Sequence, residues 1–141
     1  VQRPDIILTD TIDPAVNDVV SHGLNVFNHE IVGYTDRKPI AVVVRDPNTG
    51  APVGGAIGRS SLGLLFLDLF YLPESIRGAG VGSEVLRMFE AEGKRRGCAA
   101  AVLYTISFQA PGFYERHGWR RFGEIACEPA GTSRIFMTKP L

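Results

Sequence analysis

Two hydrophobic periods alternate along the chain, one of about two residues and one of about 3.6, and each predicts its own element. The opening DIILTD, residues 5–10, reads as a short strand. Asp13-Pro14 supplies an N-cap and a proline at the first helical position. Val16, Val19 and Val20 then suit a helix over 14–21, and Leu24, Phe27 and Ile31 a second helical piece over 22–31. Residues 40–45 form a β-branched run, 46–50 (DPNTG) a turn, and 52–59 a returning strand, together a hairpin. Residues 64–72 are apolar almost throughout, which predicts a strand buried on both faces.

The later half follows the same logic. Val81, Val85, Met88 and Phe89 mark an amphipathic helix over 80–96, with Glu90–Lys94 and Glu92–Arg96 expected as i,i+4 pairs. Lys94-Arg95-Arg96 complements the helix dipole and Gly97 ends the helix. Another buried strand is expected at 99–106, a short helix at 111–116, and strands at 119–125 and 133–138. The order β-α-α-β-β-β-α-β-α-β-β contains one β-α-β unit inside a mixed sheet. That is an α/β or α+β arrangement in a single domain, 1–141, and not a continuous doubly wound sheet.

Composition narrows the function classes. The 141 residues balance 15 basic against 15 acidic side chains, so nothing points to nucleic acid as a partner. Cys98 and Cys127 have no CxxC or Cys/His spacing, so no metal site or disulfide framework is expected. The start VQRPDIIL lacks signal-peptide features, and the apolar run 62–72 is too short to cross a bilayer and carries Asp68. A cytoplasmic protein that does not engage a membrane is the expectation.

The candidate chemistry lies in PESIRGAGVGSEVL, residues 73–86. No Gly-Lys-Ser/Thr sequence is present, so a Walker A loop is excluded. The dinucleotide pattern GxGxxG fails because Val85 stands three residues after Gly82, and strand 99–106 does not end in an acid. What remains is Arg77-Gly78-Ala79-Gly80-Val81-Gly82 entering a helix from an apolar strand. Glycine lets a ligand approach the backbone, and the first helical N–H groups lack internal partners. Such a loop suits a pyrophosphate or, with equal weight, a tight turn that holds nothing.

A second segment, SFQAPGFYERHGW at 107–119, breaks the tie. Together the two resemble the GNAT N-acetyltransferase family, which carries a Gln/Arg-x-x-Gly-x-Gly/Ala loop. Its later motif, Ala-x-x-Phe-Tyr-Glu-Lys/Arg-x-Gly-Phe/Trp, matches Ala110 to Trp119. The resemblance implies the GNAT acyl-CoA N-acyltransferase fold. That fold has a mostly antiparallel twisted sheet of about six to seven strands, helices on both faces, and a cleft between the fourth and fifth predicted strands, 64–72 and 99–106. Where many relatives carry an asparagine seven residues before the tyrosine, this chain has Ser107, with Thr105 and Gln109 as polar neighbours.

The resemblance further implies acetyl-CoA as cosubstrate, with no metal. Its pantetheine arm would pair with the backbone near Phe70 and Leu72, and its pyrophosphate would lie on Arg77, Gly78, Ala79, Gly80, Val81, Gly82 and Ser83. Ser107 and Gln109 would add cofactor contacts. The Phe70 N–H would stabilise the oxyanion, and Tyr114 would protonate the leaving thiolate. Asp68 is either a general base of raised pKa or a structural acceptor. Asn28, His29 and Tyr34 fall where relatives build the acceptor side. The acceptor would be a primary amine of a small molecule, a peptide or a lysine, and homodimers are common among relatives. The rival reading keeps the fold as an acyl-CoA-binding or interaction module without turnover.

Overall fold

The computed structural model describes residues 2–141, arranged as two compact units, one ending at Thr35 and one running Asp36–Leu141. The first unit is built on a single helix, α1 (Pro14–Val32), where two pieces were expected. Asp13 caps it, its Oδ1 accepting from Ala15 N at 2.8 Å, and Gly33 ends it in a left-handed conformation. Nothing at the 21/22 junction interrupts a helix. Gly23 lowers helix propensity without breaking the hydrogen-bond ladder. The predicted strand at 5–10 does not form. Those residues pair with no other strand and leave Ile6, Ile7 and Leu8 exposed, and an isolated strand has no ladder to hold it.

The second unit is a six-stranded sheet: β1 (Lys38–Arg45), β2 (Pro52–Ser61), β3 (Leu64–Tyr71), β4 (Ala100–Ile106), β5 (Arg120–Ala126) and β6 (Ser133–Pro140). Helices α2 (Val81–Arg95) and α3 (Pro111–Arg116) complete it. The strand order is β1-β2-β3-β4-β6-β5, and every neighbouring pair is antiparallel except β3–β4. The mixed, mostly antiparallel α/β fold expected from the sequence is therefore present. The apolar face of α2 places Val85, Leu86 and Phe89 against Leu65, Leu67, Ala101, Leu103, Ile135 and Met137 of the sheet.

Both central strands bury one face, not two. Leu65 and Leu67 of β3 are buried, as are Ala101, Leu103 and Thr105 of β4, while Leu69, Tyr71 and Tyr104 are exposed. Continuous apolar runs mark buried strands only when both faces are covered; here the runs supply one core face and one exposed apolar face.

A bulge decides the shape of the cleft. Gly58 of β2 lies opposite Leu67 and Ile57 opposite Leu69, so Asp68 is an extra, unpaired residue. The extra residue shifts the alternation, so the inward series Leu65, Leu67 continues as Phe70, Leu72. The parallel pairing of β3 with β4 also stops there, at Leu67↔Leu103. Beyond that pair the two strands part.

Candidate functional site

The loop that leaves β3 turns through a 3-10 segment, Glu74–Ile76, into α2. Gly78 and Gly80 hold positive φ values of 85° and 79°, a region that residues with a Cβ enter at a cost. Gly80 is the N-cap of α2 and offers no capping side chain. The first intrahelical bond is Glu84 N to Gly80 O, so the N–H groups of Val81, Gly82 and Ser83 stay free of helix partners. They sit at the positive end of a 15-residue helix.

A cavity of about 670 Å³ opens in front of this helix end. Gly78, Gly80, Gly82 and Ser83 line it on one side, Phe70 and Leu72 on another, and α3 closes it with Phe113 and Tyr114. Its charged lining is Arg77 and Arg116, with no carboxylate among the described residues. Arg77 is anchored through Nε to the Leu72 carbonyl at 2.9 Å, which leaves its terminal nitrogens for a ligand. Free N–H donors, a helix N-terminus and two guanidinium groups fit a pyrophosphate. Ala79 and Val81 belong to the same loop but do not line the cavity.

A second cavity, of about 270 Å³, lies where β3 and β4 have separated. Asp68, Tyr104 and Arg134 line it, and it shares Phe70, Thr105, Gln109 and Tyr114 with the first. Those four residues therefore stand where the two cavities meet. Gln109 is fixed there by its Oε1, which accepts from Thr105 Oγ1 at 3.1 Å and from Ile106 N at 2.9 Å. Tyr114 is 7% exposed and edge-on to Phe70, Phe113 and Trp119. Burial pushes its phenol up to about 12, so it keeps its proton at neutral pH.

Several predicted residues have protein partners that the sequence did not show. Ser107 accepts from Ser133 N through Oγ at 3.0 Å and does not line the first cavity, so it ties the end of β4 to β6. Asp68 is half exposed, not the buried carboxylate its apolar surroundings suggested. Arg59 Nη1 lies 2.7 and 2.9 Å from its two oxygens, with the same guanidinium over the Phe66 ring. Glu90 pairs with Lys139 and accepts from Trp119 Nε1, and does not pair with Lys94. Arg96 does pair with Glu92, and it also donates to the Lys38 and Pro39 carbonyls and to Ser60 Oγ. Asn28, His29 and Tyr34 belong to the helical unit, where His29 Nδ1 lies 3.4 Å from Thr35 Oγ1.

The sequence carried little sign of three residues that matter here. His117 bridges the Phe113 carbonyl and Ser83 Oγ, Arg116 adds a cation to the first cavity, and Arg134 lines the second. No metal-binding cluster of three or more His, Cys, Asp or Glu occurs among the described residues. Among them, too, no helix is long and apolar enough to cross a membrane.

β3, bulged against β2, thus parts from its parallel partner β4 beside an anion-ready helix N-terminus. The model of the Acetyltransferase (GNAT) family matches residues 16–119, and the chain belongs to that family. It is an acetyltransferase. An acetyltransferase of Agrobacterium fabrum is 27% identical over 96% of this chain and 98% of its own length. The blasticidin-S acetyltransferase of Streptomyces morookaense is 36% identical over 65% of this chain and 68% of its own. Among solved structures, an acetyltransferase from Bacillus cereus superposes with a TM-score of 0.78 at 28% identity, covering 96% of this chain and 98% of that one. A protein from Agrobacterium tumefaciens reaches 0.88 at 27% identity, covering 98% and 100%.

Proposed function

We propose that the chain transfers an acetyl group from acetyl-CoA to the primary amine of a small molecule, by direct attack within a ternary complex. The observation that carries this reading is the meeting of two cavities at Phe70 and Tyr114. The first cavity has the charge and donors for the pyrophosphate, held by Arg77, Arg116 and the N–H groups of Gly82 and Ser83. The second receives the amine. When bound, the cosubstrate supplies an activated acetyl thioester. The Phe70 N–H donates toward the thioester oxygen as negative charge develops there. The amine nitrogen bonds to the acetyl carbon, Tyr114 gives its proton to the sulfur as the C–S bond breaks, and the proton lost from the acylated nitrogen returns the phenol to its protonated form. The name of the Streptomyces relative supports a small-molecule acceptor over a peptide or protein lysine.

The test is thiol release from acetyl-CoA across a panel of amines. The expected result is CoA thiol formed with at least one amine and lost on Tyr114→Phe. An absence of both thiol release and any thermal shift with acetyl-CoA would overturn the reading.

A further inference from the structure

The second cavity carries information about the acceptor, and it lies in its charges. Two charged side chains line it, Asp68 from the bulge of β3 and Arg134 from β6. Both Asp68 oxygens already face Arg59 Nη1, at 2.7 and 2.9 Å. Arg134 is different. Ser133, Ile135 and Met137 turn to the core, so strand alternation puts Arg134 and Phe136 on the opposite face. There Arg134 stands beside Ile106 of β4 and Ile125 of β5, half-buried. Its guanidinium forms no ion pair among the described residues, whereas Arg59, Arg95, Arg96, Arg121 and Lys139 all do.

The cavity therefore presents one committed carboxylate and one uncommitted guanidinium. A half-buried guanidinium gains most from a planar anion that accepts two parallel N–H bonds. A polyamine or other polycation would meet that charge with nothing free to neutralise its own. At about 270 Å³ the cavity has room for a small amine.

We propose that Arg134 is a specificity residue that binds a carboxylate on the acceptor, so that the substrate is a small amine bearing an acid group, of the amino-acid class. This rests on the acetyl-transfer reading above and names the substrate class of that same site. The amine end then points toward Phe70 and Tyr114, which line the same cavity.

The experiment measures kcat/KM by thiol release for paired acceptors: free amino acids, the methyl esters of the same amino acids, and spermidine. The expected wild-type result is a preference for acid over ester of at least tenfold, with spermidine poorest. In Arg134→Ala the acid-to-ester ratio should fall toward one. In Arg134→Lys, which keeps the charge but loses the bidentate fork, it should fall part of the way. A wild-type preference for ester or spermidine overturns the proposal, and so does a ratio that Arg134→Ala leaves unchanged. A thermal shift with CoA in both variants shows that they fold. Loss of thiol release with every amine in the wild type would remove the acetyl-transfer reading itself, and the proposal with it.

Discussion

Ser83 Oγ lies 2.9 Å from His117 Nε2, and His117 Nδ1 lies 2.8 Å from the Phe113 carbonyl oxygen. A carbonyl only accepts, so Nδ1 carries the hydrogen, and the ring is fixed between α3 and the first turn of α2. The histidine, its ring tilted and 4.7 Å from that of Phe113, thus sets the orientation of a hydroxyl that lines the first cavity. Removing either partner is expected to raise the Kd for CoA by roughly three- to tenfold, the worth of about one hydrogen bond. Because Ser83→Ala and His117→Ala break the same contact, the double variant should lose little more than either single one. Calorimetric titration of CoA into the three variants checks this; full additivity would mean that the contact does not act on the cofactor.

Tyr114 gives two separable outcomes. Tyr114→Phe removes the proposed proton donor and keeps the ring that packs on Phe70 and Trp119, so kcat should fall about a hundredfold or more with CoA affinity preserved. The second outcome concerns stability. The folded pKa of about 12 exceeds the ordinary value of 10, so the folded state retains a proton that the unfolded chain releases above pH 10. The corresponding stability is full below pH 10 and is lost as pH rises through 12. Urea melts at pH 9 and pH 11.5 should show a loss on the order of 2 kcal/mol in the wild type that Tyr114→Phe lacks.

Asp68 was a candidate base because its neighbours in sequence are apolar. In the fold, the bulge turns it outward and Arg59 holds it. Loss of a general base costs about 10²- to 10⁴-fold in rate. We expect Asp68→Asn to lower kcat/KM by less than about tenfold, with a smaller loss again when paired with Arg59→Gln. A drop of a thousandfold, with a pH profile that loses its acidic limb, would restore Asp68 as the base.

The contrast among these residues explains what the sequence could and could not disclose. Turn glycines, helix periodicity and the two motifs depend on neighbours within a few positions, so α2, α3, the glycine loop and the positions of the six strands along the chain were readable, while their order in the sheet was not. The bulge at Asp68 was not, because it exists only in the register between β2 and β3. Ser107 was expected at the cofactor from its place in a motif, and the structure adds a partner the motif could not show, Ser133 N, 26 residues away. Glu90 found Lys139, 49 residues away, in preference to Lys94 on its own helix. A long-range partner overrules local pairing at Glu90, whereas Arg96 keeps Glu92 and adds its distant partners to it.

The basic end of α2 makes a related prediction. Hydrogen bonds from Arg95 and then Arg96 hold the Glu92 carboxyl down to about 2, below its ordinary value of 4.5. A depressed carboxylate contributes stability that is present above pH 4.5 and lost as pH falls toward 2. The wild type should therefore lose its advantage over Glu92→Gln across that window, as followed by acid melts. Arg96→Met should cost more at neutral pH, roughly 1–3 kcal/mol, because it also strips the Lys38 and Pro39 carbonyls and Ser60 Oγ of their donor.

Gly58 tests whether the bulge itself sustains the site. A Cβ built there would stand 1.8 Å from the Phe66 carbonyl oxygen and 2.8 Å from the Phe89 ring, which is wholly buried in the core. The carbonyl belongs to backbone and cannot swing aside, so Gly58→Ala must push β2 away from β3 at the residue opposite Leu67. Overpacking of this kind costs about 1–3 kcal/mol or more. Leu67 is also the last residue of β3 that pairs with β4, so the displacement reaches the point where the cleft opens. The expected result is a lower urea midpoint together with a rise in KM for acetyl-CoA, since Phe70 and Leu72 follow directly. Gly63→Ala, where a Cβ would meet nothing within 4 Å, is the control: its strain at φ 83° should lower stability and leave KM unchanged. Equal effects of the two substitutions on KM would separate the bulge from the cleft.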